Sequence, residues 1–149
     1  MAYGLIGNTP SDRPAGTNSG WTYMDLNVVA PARGILKSFT IYVATNVVGL
    51  KIKIFRDDGT NYVFIGETVA QNLDAGLHSD LPCWIPVERG DLIALYHTEG
   101  SIDWTATGGT AKYYTLGGDV VTTTLKTAWS NTTVIMSLQG RIFTRVAPL

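Results

Sequence analysis

The chain of 149 residues holds one cysteine and two histidines, and that scarcity removes several chemistries at once. A lone Cys83 cannot close an internal disulfide, so the fold does not depend on an oxidising compartment. Its neighbours Leu81, Pro82, Trp84 and Ile85 are apolar, which predicts a buried, inert thiol. One cysteine with His78 and His97, far apart in sequence, falls short of a zinc ligand set. Catalysis needs a reactive group beside an orienting partner, and no nucleophile elbow or other local signature supplies one. His97 reads as a polar group at a strand end and His78 as a solvated turn residue. Gly108-Gly109 and Gly117-Gly118 are not followed by Lys-Ser or Lys-Thr, so no phosphate loop is present. The expectation is a non-catalytic protein with no metal site and no cofactor.

Charge is also scarce. Only 15% of residues are Asp, Glu, Lys or Arg, against about 25% in an ordinary soluble domain. A surface short of these residues is covered by Thr, Ser, Asn, Gly and aromatics, as suits a protein largely occupied by neighbours. With a net charge of −1 and no basic run, the footprint of a DNA or RNA binder is missing. No apolar stretch approaches the roughly 20 residues of a membrane helix. The segment Met1-Ala2-Tyr3-Gly4-Leu5-Ile6-Gly7 has neither the basic region nor the apolar run of a signal peptide. A soluble protein with no membrane partner is expected, or one that leaves its cell by lysis.

What is present points to strands. A hydrophobic content of 45% places the chain among ordered domains, and its length suits one domain that buries about two-thirds of its unfolded surface. Residues 1–20 carry Gly4, Gly7, Pro10, Pro14, Gly16 and Gly20, punctuation too dense for a regular element, and read as an N-terminal arm or ordered loop. From Trp21 onward, residues 21–149 read as a single β domain. Strand-length runs rich in β-branched and aromatic residues fall at 21–29, 35–44, 50–56 and 61–70. Within the third, Leu50, Ile52 and Ile54 alternate with Lys51 and Lys53, placing apolar groups on one face and ammonium groups on the other.

Between these runs, Asp57-Asp58-Gly59-Thr60 predicts a hairpin, with Gly59 free to take positive φ and the aspartates able to bond the backbone. The segment lacks the later bidentate carboxylate of a calcium loop. A turn region over 72–79 leads to Cys83–Val87, then Glu88-Arg89-Gly90-Asp91 reverses the chain before a strand over 92–97, with Val87, Leu92 and Leu95 in the core. Short strands follow at 101–106 and 111–115. Residues 119–139 are crowded with Thr and Val, which favours strands over a helix at 124–129. The last strand is expected over 133–146, with Gly140 at a bulge or close backbone contact. Strands of this number and spacing predict an all-β, antiparallel, two-sheet sandwich of the jelly-roll kind with an extended N-terminal arm.

Trp and Tyr stack on sugar rings while Asp and Asn bind hydroxyls, so Asp103, Trp104, Tyr113, Tyr114 and Trp129 form a candidate glycan-binding set. The competing reading of the same aromatics is core or intersubunit packing. Asn131-Thr132-Thr133 matches a glycosylation acceptor without a secretory signal to give it meaning.

The stretch from Trp84 to Tyr96, WIPVERGDLIALY, resembles the turn and strand of jelly-roll modules in phage virion proteins and in secreted adhesive or sugar-binding domains. In overall composition the chain is similar to small accessory proteins of tailed bacteriophage heads. The resemblance implies a capsid decoration, or cement, protein on the virion surface, trimeric, gripping the major capsid protein with its arm and one edge of the sandwich. Tyr3, Leu5, Ile6, Pro10 and Arg13 are the partner-binding residues this implies, on an arm that the domain does not need in order to fold. The alternative is a carbohydrate- or receptor-binding module of a tail fibre or adhesin, extracellular or on a cell surface.

Overall fold

In the computed structural model, which describes residues 3–144, the β-branched and aromatic runs form fourteen strands, and the helical content among the described residues is one 3-10 turn, Lys126–Ala128. In chain order the strands are β1 (Tyr3–Gly7), β2 (Ala15–Gly16), β3 (Tyr23–Asp25), β4 (Gly34–Asp57), β5 (Asn61–Glu67), β6 (Gln71–Leu73) and β7 (Gly76–Val87). There follow β8 (Leu92–Tyr96), β9 (Glu99–Thr105), β10 (Ala111–Tyr114), β11 (Thr124–Leu125), β12 (Trp129–Thr132), β13 (Ile135–Met136) and β14 (Leu138–Phe143). All their ladders are antiparallel, so the fold is all-β.

Strand β4 organises the molecule. Its first half lies between β14 and β7, with β1 outside β14. Its second half lies between β8 and β5, with β3, β10 and β12 continuing beyond β8. Near the middle it pairs with β6 and β9. Two separate strands were expected over 35–44 and 50–56; one strand of 24 residues is found. The buried positions explain the difference: Phe39, Ile41, Val43 and Val47 keep odd parity, whereas Leu50, Ile52 and Ile54 are even. The parity changes where Gly49 takes φ +68° and the pairing with β6 shifts register, so the strand bends there without ending.

The two halves contribute to one core. Ile6, Leu36, Phe39 and Ile41 from the first set pack in one cluster with Ile52, Ile54, Ile93 and Leu95 from the second. Gly140 stands where they meet; a Cβ there would collide with Leu36 and Ile6, which is the close contact expected of this glycine. A second, aromatic cluster gathers Phe55, Tyr62 and Trp129 on the other side of the β4–β8 ladder. Each fully buried large side chain contributes roughly 1.5–3 kcal/mol of transfer free energy.

Several expectations need correction. The N-terminal segment is not a free arm: Tyr3–Gly7 is strand β1, Ile6 has no exposed surface, and Ala15–Gly16 pairs with β9. Of the run 21–29 only Tyr23–Asp25 is strand, because the Asp25 carboxylate turns the chain by accepting from the Asn27 side chain and the Val28 backbone N–H. His78 lies within β7, and the turn expected over 72–79 shrinks to the residues between Leu73 and Gly76. The strand expected over 133–146 is split into β13 and β14, and its last two residues lie outside the described residues.

The two predicted reversals form as expected. Gly59 takes φ +98°, Asp57 accepts from the Gly59 N–H at 2.8 Å, and Asp58 accepts from the N–H groups of Thr60 and Asn61 at 2.9 and 2.6 Å. At 88–91 the fully buried Asp91 carboxylate accepts from the Glu88 N–H at 2.8 Å and takes both prongs of the Arg56 guanidinium at 2.8 and 2.9 Å.

Candidate functional site

The outer face of the sheet formed by β1, β14, the first half of β4 and β7 carries several exposed aromatic and aliphatic side chains. Pairing places Tyr3, Phe143, Ile35 and Pro86 in one row across it, and Leu5, Arg141, Ser38 and Pro82 in another. Tyr42 and Leu77 face each other further along. Trp84 lies in the irregular stretch of β7 opposite Lys37; its neighbours Cys83 and Ile85 turn to the core, so its ring points outward with 65% of its surface exposed. Tyr3 and Leu77 are also more than half exposed. Single exposed apolar side chains are ordinary, but several gathered on one sheet face form a patch of the kind that marks interaction surfaces.

Cations are built into this patch. The Arg141 guanidinium lies 4.1 Å from the centre of the Tyr3 ring, and the Lys37 ammonium 5.3 Å from the centre of the Phe143 ring. Arg141 also approaches Asp80 at 3.6 Å, whereas Lys37 forms no ion pair among the described residues. Among the described residues Asp80 is the non-glycine residue held at positive φ, 51°, with its N–H donated to Thr40 Oγ1 at 3.0 Å. That conformation is tolerated by Asp and places its carboxylate at the rim of the patch.

At the open end of β1 and β14 the face runs into a groove of about 440 Å3 lined by Leu5, Gly7, Asn8, Thr9, Arg13, Val28, Ile135 and Gln139. Of the residues expected to grip a partner, Tyr3 and Leu5 lie on the outer face, Pro10 is half-buried in the following loop, and Ile6 belongs to the core. Arg13 ties its loop down: Nε donates to Ser137 Oγ at 2.8 Å, Nη1 to Thr105 Oγ1 at 3.1 Å and Nη2 to the Thr9 carbonyl at 2.9 Å.

The five residues of the glycan set are not brought to one surface. Tyr113 and Tyr114 are consecutive in β10 and therefore face opposite sides of it. Tyr113 packs edge-on against Trp21, and Trp104 against Tyr23. Tyr114 packs against Trp129 on the other side, where Trp129 also meets Phe55 and Tyr62 and is 5% exposed, leaving no free ring face for a sugar. Asp103 is buried, and burial, together with the neighbouring Asp12, pushes its carboxyl above the usual range.

The ionisable groups elsewhere are held in structural networks. His97 is fully buried; Thr17 Oγ1 lies 2.6 Å from its Nε2 and the Glu99 carbonyl 3.2 Å from its Nδ1. The Glu99 carbonyl can only accept, so Nδ1–H donates to it and, in the neutral ring, Nε2 accepts from the Thr17 hydroxyl, whose oxygen also accepts the Ile102 N–H at 2.9 Å. Burial pushes His97 below the ordinary imidazole range. Cys83 is half-buried, and desolvation pushes its thiol up to about 11, which keeps it protonated and unreactive at neutral pH.

On β4, Lys53 has no exposed side-chain surface and lies 2.5 Å from both Glu67 Oε1 and Asp119 Oδ1. Lys51 bonds Asp119 Oδ2 at 2.7 Å and Glu67 Oε2 at 3.2 Å. Asp119 Oδ1 accepts no directional hydrogen bond; the adjacent Lys53 charge is what compensates it. Among the described residues no group of three or more His, Cys, Asp or Glu is arranged to hold a metal ion. Comparison of the chain with protein-family models, with curated proteins and with solved structures found no match.

Proposed function

We propose that this chain is a non-catalytic docking protein that binds a protein partner through the outer face of β1, β14, β4 and β7. The observation that carries the reading is the patch itself: Trp84, Tyr3, Leu5 and Leu77 exposed on one sheet face, with Arg141 and Lys37 laid over its rings. Aromatic residues and Arg are the side chains that dominate binding energy at protein interfaces. Arg141 is fixed by the Tyr3 ring and by Asp80, so little side-chain freedom remains to be lost on docking.

The finer form of the proposal is a capsid decoration protein of a tailed-phage head, a jelly-roll sandwich acting as a trimer on the major capsid protein. It is supported by the resemblance of the segment from Trp84 to Tyr96, in which Trp84 is an exposed anchor and Asp91 ties the turn. Such a protein would stabilise a shell by adding buried area across subunit boundaries, which shifts assembly toward the intact particle by mass action.

The test is co-sedimentation of the purified chain with empty heads assembled from the capsid protein encoded beside it. Saturable binding that falls about tenfold or more in Trp84→Ala, with unchanged melting, is the expected result. Absence of a capsid gene from the neighbourhood, failure to bind heads, or glycan-array binding that Trp84→Ala abolishes would each contradict the capsid reading; the last would move the same face to carbohydrate.

A further inference from the structure

The groove and the patch share one border, strand β1, and its free edge carries information about the shape of the partner. β1 ends the strand order and pairs with β14 alone among the described residues. The Asn8 N–H donates toward β14, to the Leu138 carbonyl at 2.8 Å, whereas the Gly7 N–H donates away from it, to the Val28 carbonyl at 2.9 Å. Bond direction alternates along an antiparallel ladder, so Leu5 and Tyr3, which share the parity of Gly7, direct their N–H and C=O groups away from β14. Beyond Val28, no strand among the described residues covers them.

The other edge of this sheet is treated differently. β7 also pairs only with β4 among the described residues, but it carries Pro82 and Pro86, two register shifts and the positive-φ Asp80. These are the devices that blunt an edge against strand addition. β1, with the sequence YGLIG, has no proline, no charge and no register shift, and its positive φ falls at its last residue, Gly7.

We propose that β1 receives an extended segment of the protein partner as an additional strand, and that this segment is apolar with at least one acidic residue. The proposal rests on the docking reading and specifies its partner. The backbone groups of Leu5 and Tyr3 supply the ladder, and the exposed Tyr3 and Leu5 side chains continue the patch onto the added strand. The groove beside Gly7, walled by Leu5, Val28 and Ile135, takes an apolar side chain of that strand. Charge complementarity sets the acidic residue. The face holds Lys37 and Arg141 against Asp80, the one carboxylate carried by β1, β14, the first half of β4 and β7 among the described residues.

The experiment selects a library of random dodecamer peptides against the immobilised full chain and measures the recovered peptides, made synthetically, by calorimetry. Enrichment of alternating apolar peptides bearing Asp or Glu is expected. Leu5→Pro should weaken the best of them about tenfold or more while leaving the melting temperature close to wild type, because the lost N–H faces away from β14. Replacing the peptide's acidic residue by its amide should weaken binding as well. No enrichment, enrichment of basic or helical peptides, or binding untouched by Leu5→Pro would overturn strand addition. Self-association of the chain that Leu5→Pro abolishes would give the edge to a second copy, and would overturn it too. Head binding lost in Trp84→Ala but kept in Leu5→Pro would leave the docking face standing and remove only the strand.

Discussion

Lys53 and Asp119, one on the longest strand and the other in the loop after Gly118, meet as an ion pair with 2.5 Å between Nζ and Oδ1, the ammonium fully buried and the carboxylate partly so. Lys51 and Glu67 complete a ring of two cations and two carboxylates that closes the loop over the polar face of β4. Removing one partner of a buried pair leaves a charge with reduced compensation, at a cost of roughly 3 kcal/mol. Asp119→Ala should therefore lower the unfolding free energy from urea titration by that amount, and a change below about 0.5 kcal/mol would show that the ring is not a structural clasp.

Acid should open the same clasp. Burial alone would raise the Asp119 carboxyl, but Lys51 and Lys53 more than offset it and hold it below the ordinary carboxylate range. A depressed carboxyl contributes stability that is present above the unfolded value of about 3.9 and is lost as pH falls toward the folded one. Wild type is expected to lose stability below about pH 4 more steeply than Asp119→Ala, and parallel acid-unfolding curves would contradict this.

His97 gives an effect nearer neutrality. Its folded-state value lies below the ordinary one because burial disfavours the imidazolium. As pH falls through about 6.5 the unfolded chain takes a proton at this site and the folded chain does not, so stability declines. His97→Gln keeps a donor for the Glu99 carbonyl and an acceptor for the Thr17 hydroxyl without titrating. Wild-type melting temperature should therefore fall relative to His97→Gln between about pH 7.5 and 5.5; a constant difference would refute the assignment. Asp25 and Asp103, both raised by burial, act in the opposite direction in both proteins and cancel in the comparison.

The N-terminal segment should prove indispensable to the domain. Ile6→Ala removes a fully buried side chain facing Leu36 and Ile93 across Gly140, and should cost about 2–5 kcal/mol. Deleting residues 2–18 removes β1, β2, the Asn8–Asp25 bond and the Thr17 partner of His97, and should prevent folding. A truncated chain with wild-type circular dichroism and melting would show that the segment is an appendage after all.

What could be read locally was legible in the sequence. The hairpin at 57–61 and the reversal at 88–91 form because Asp57, Asp58 and Asp91 bond backbone N–H groups within three residues of themselves. Alternation at 50–54 correctly separated the two faces of β4, but it could not show that Glu67 and Asp119 cover the lysines, since those carboxylates arrive from other elements. The glycines misled in the first seven residues. Gly4 is required because the Pro31 ring packs where its side chain would be, and Gly7 because it takes φ +86° against the Leu138 carbonyl. Both needs arise inside a strand, so punctuation that reads as loop marks close approach. The proposed docking face is only half visible in the sequence: Tyr3 and Leu5 stand out there, but Trp84 and Phe143 join them through pairings between distant strands.

The most direct measurement is hydroxyl-radical footprinting of the chain bound to assembled heads, read at single residues. Oxidation of Trp84 and Tyr3 should fall on binding while Leu125, on the β5–β11 ladder, reacts as in the free protein. Unchanged oxidation of Trp84 in the bound chain, with protection confined to other surfaces, would contradict the assignment of this sheet face as the place of docking.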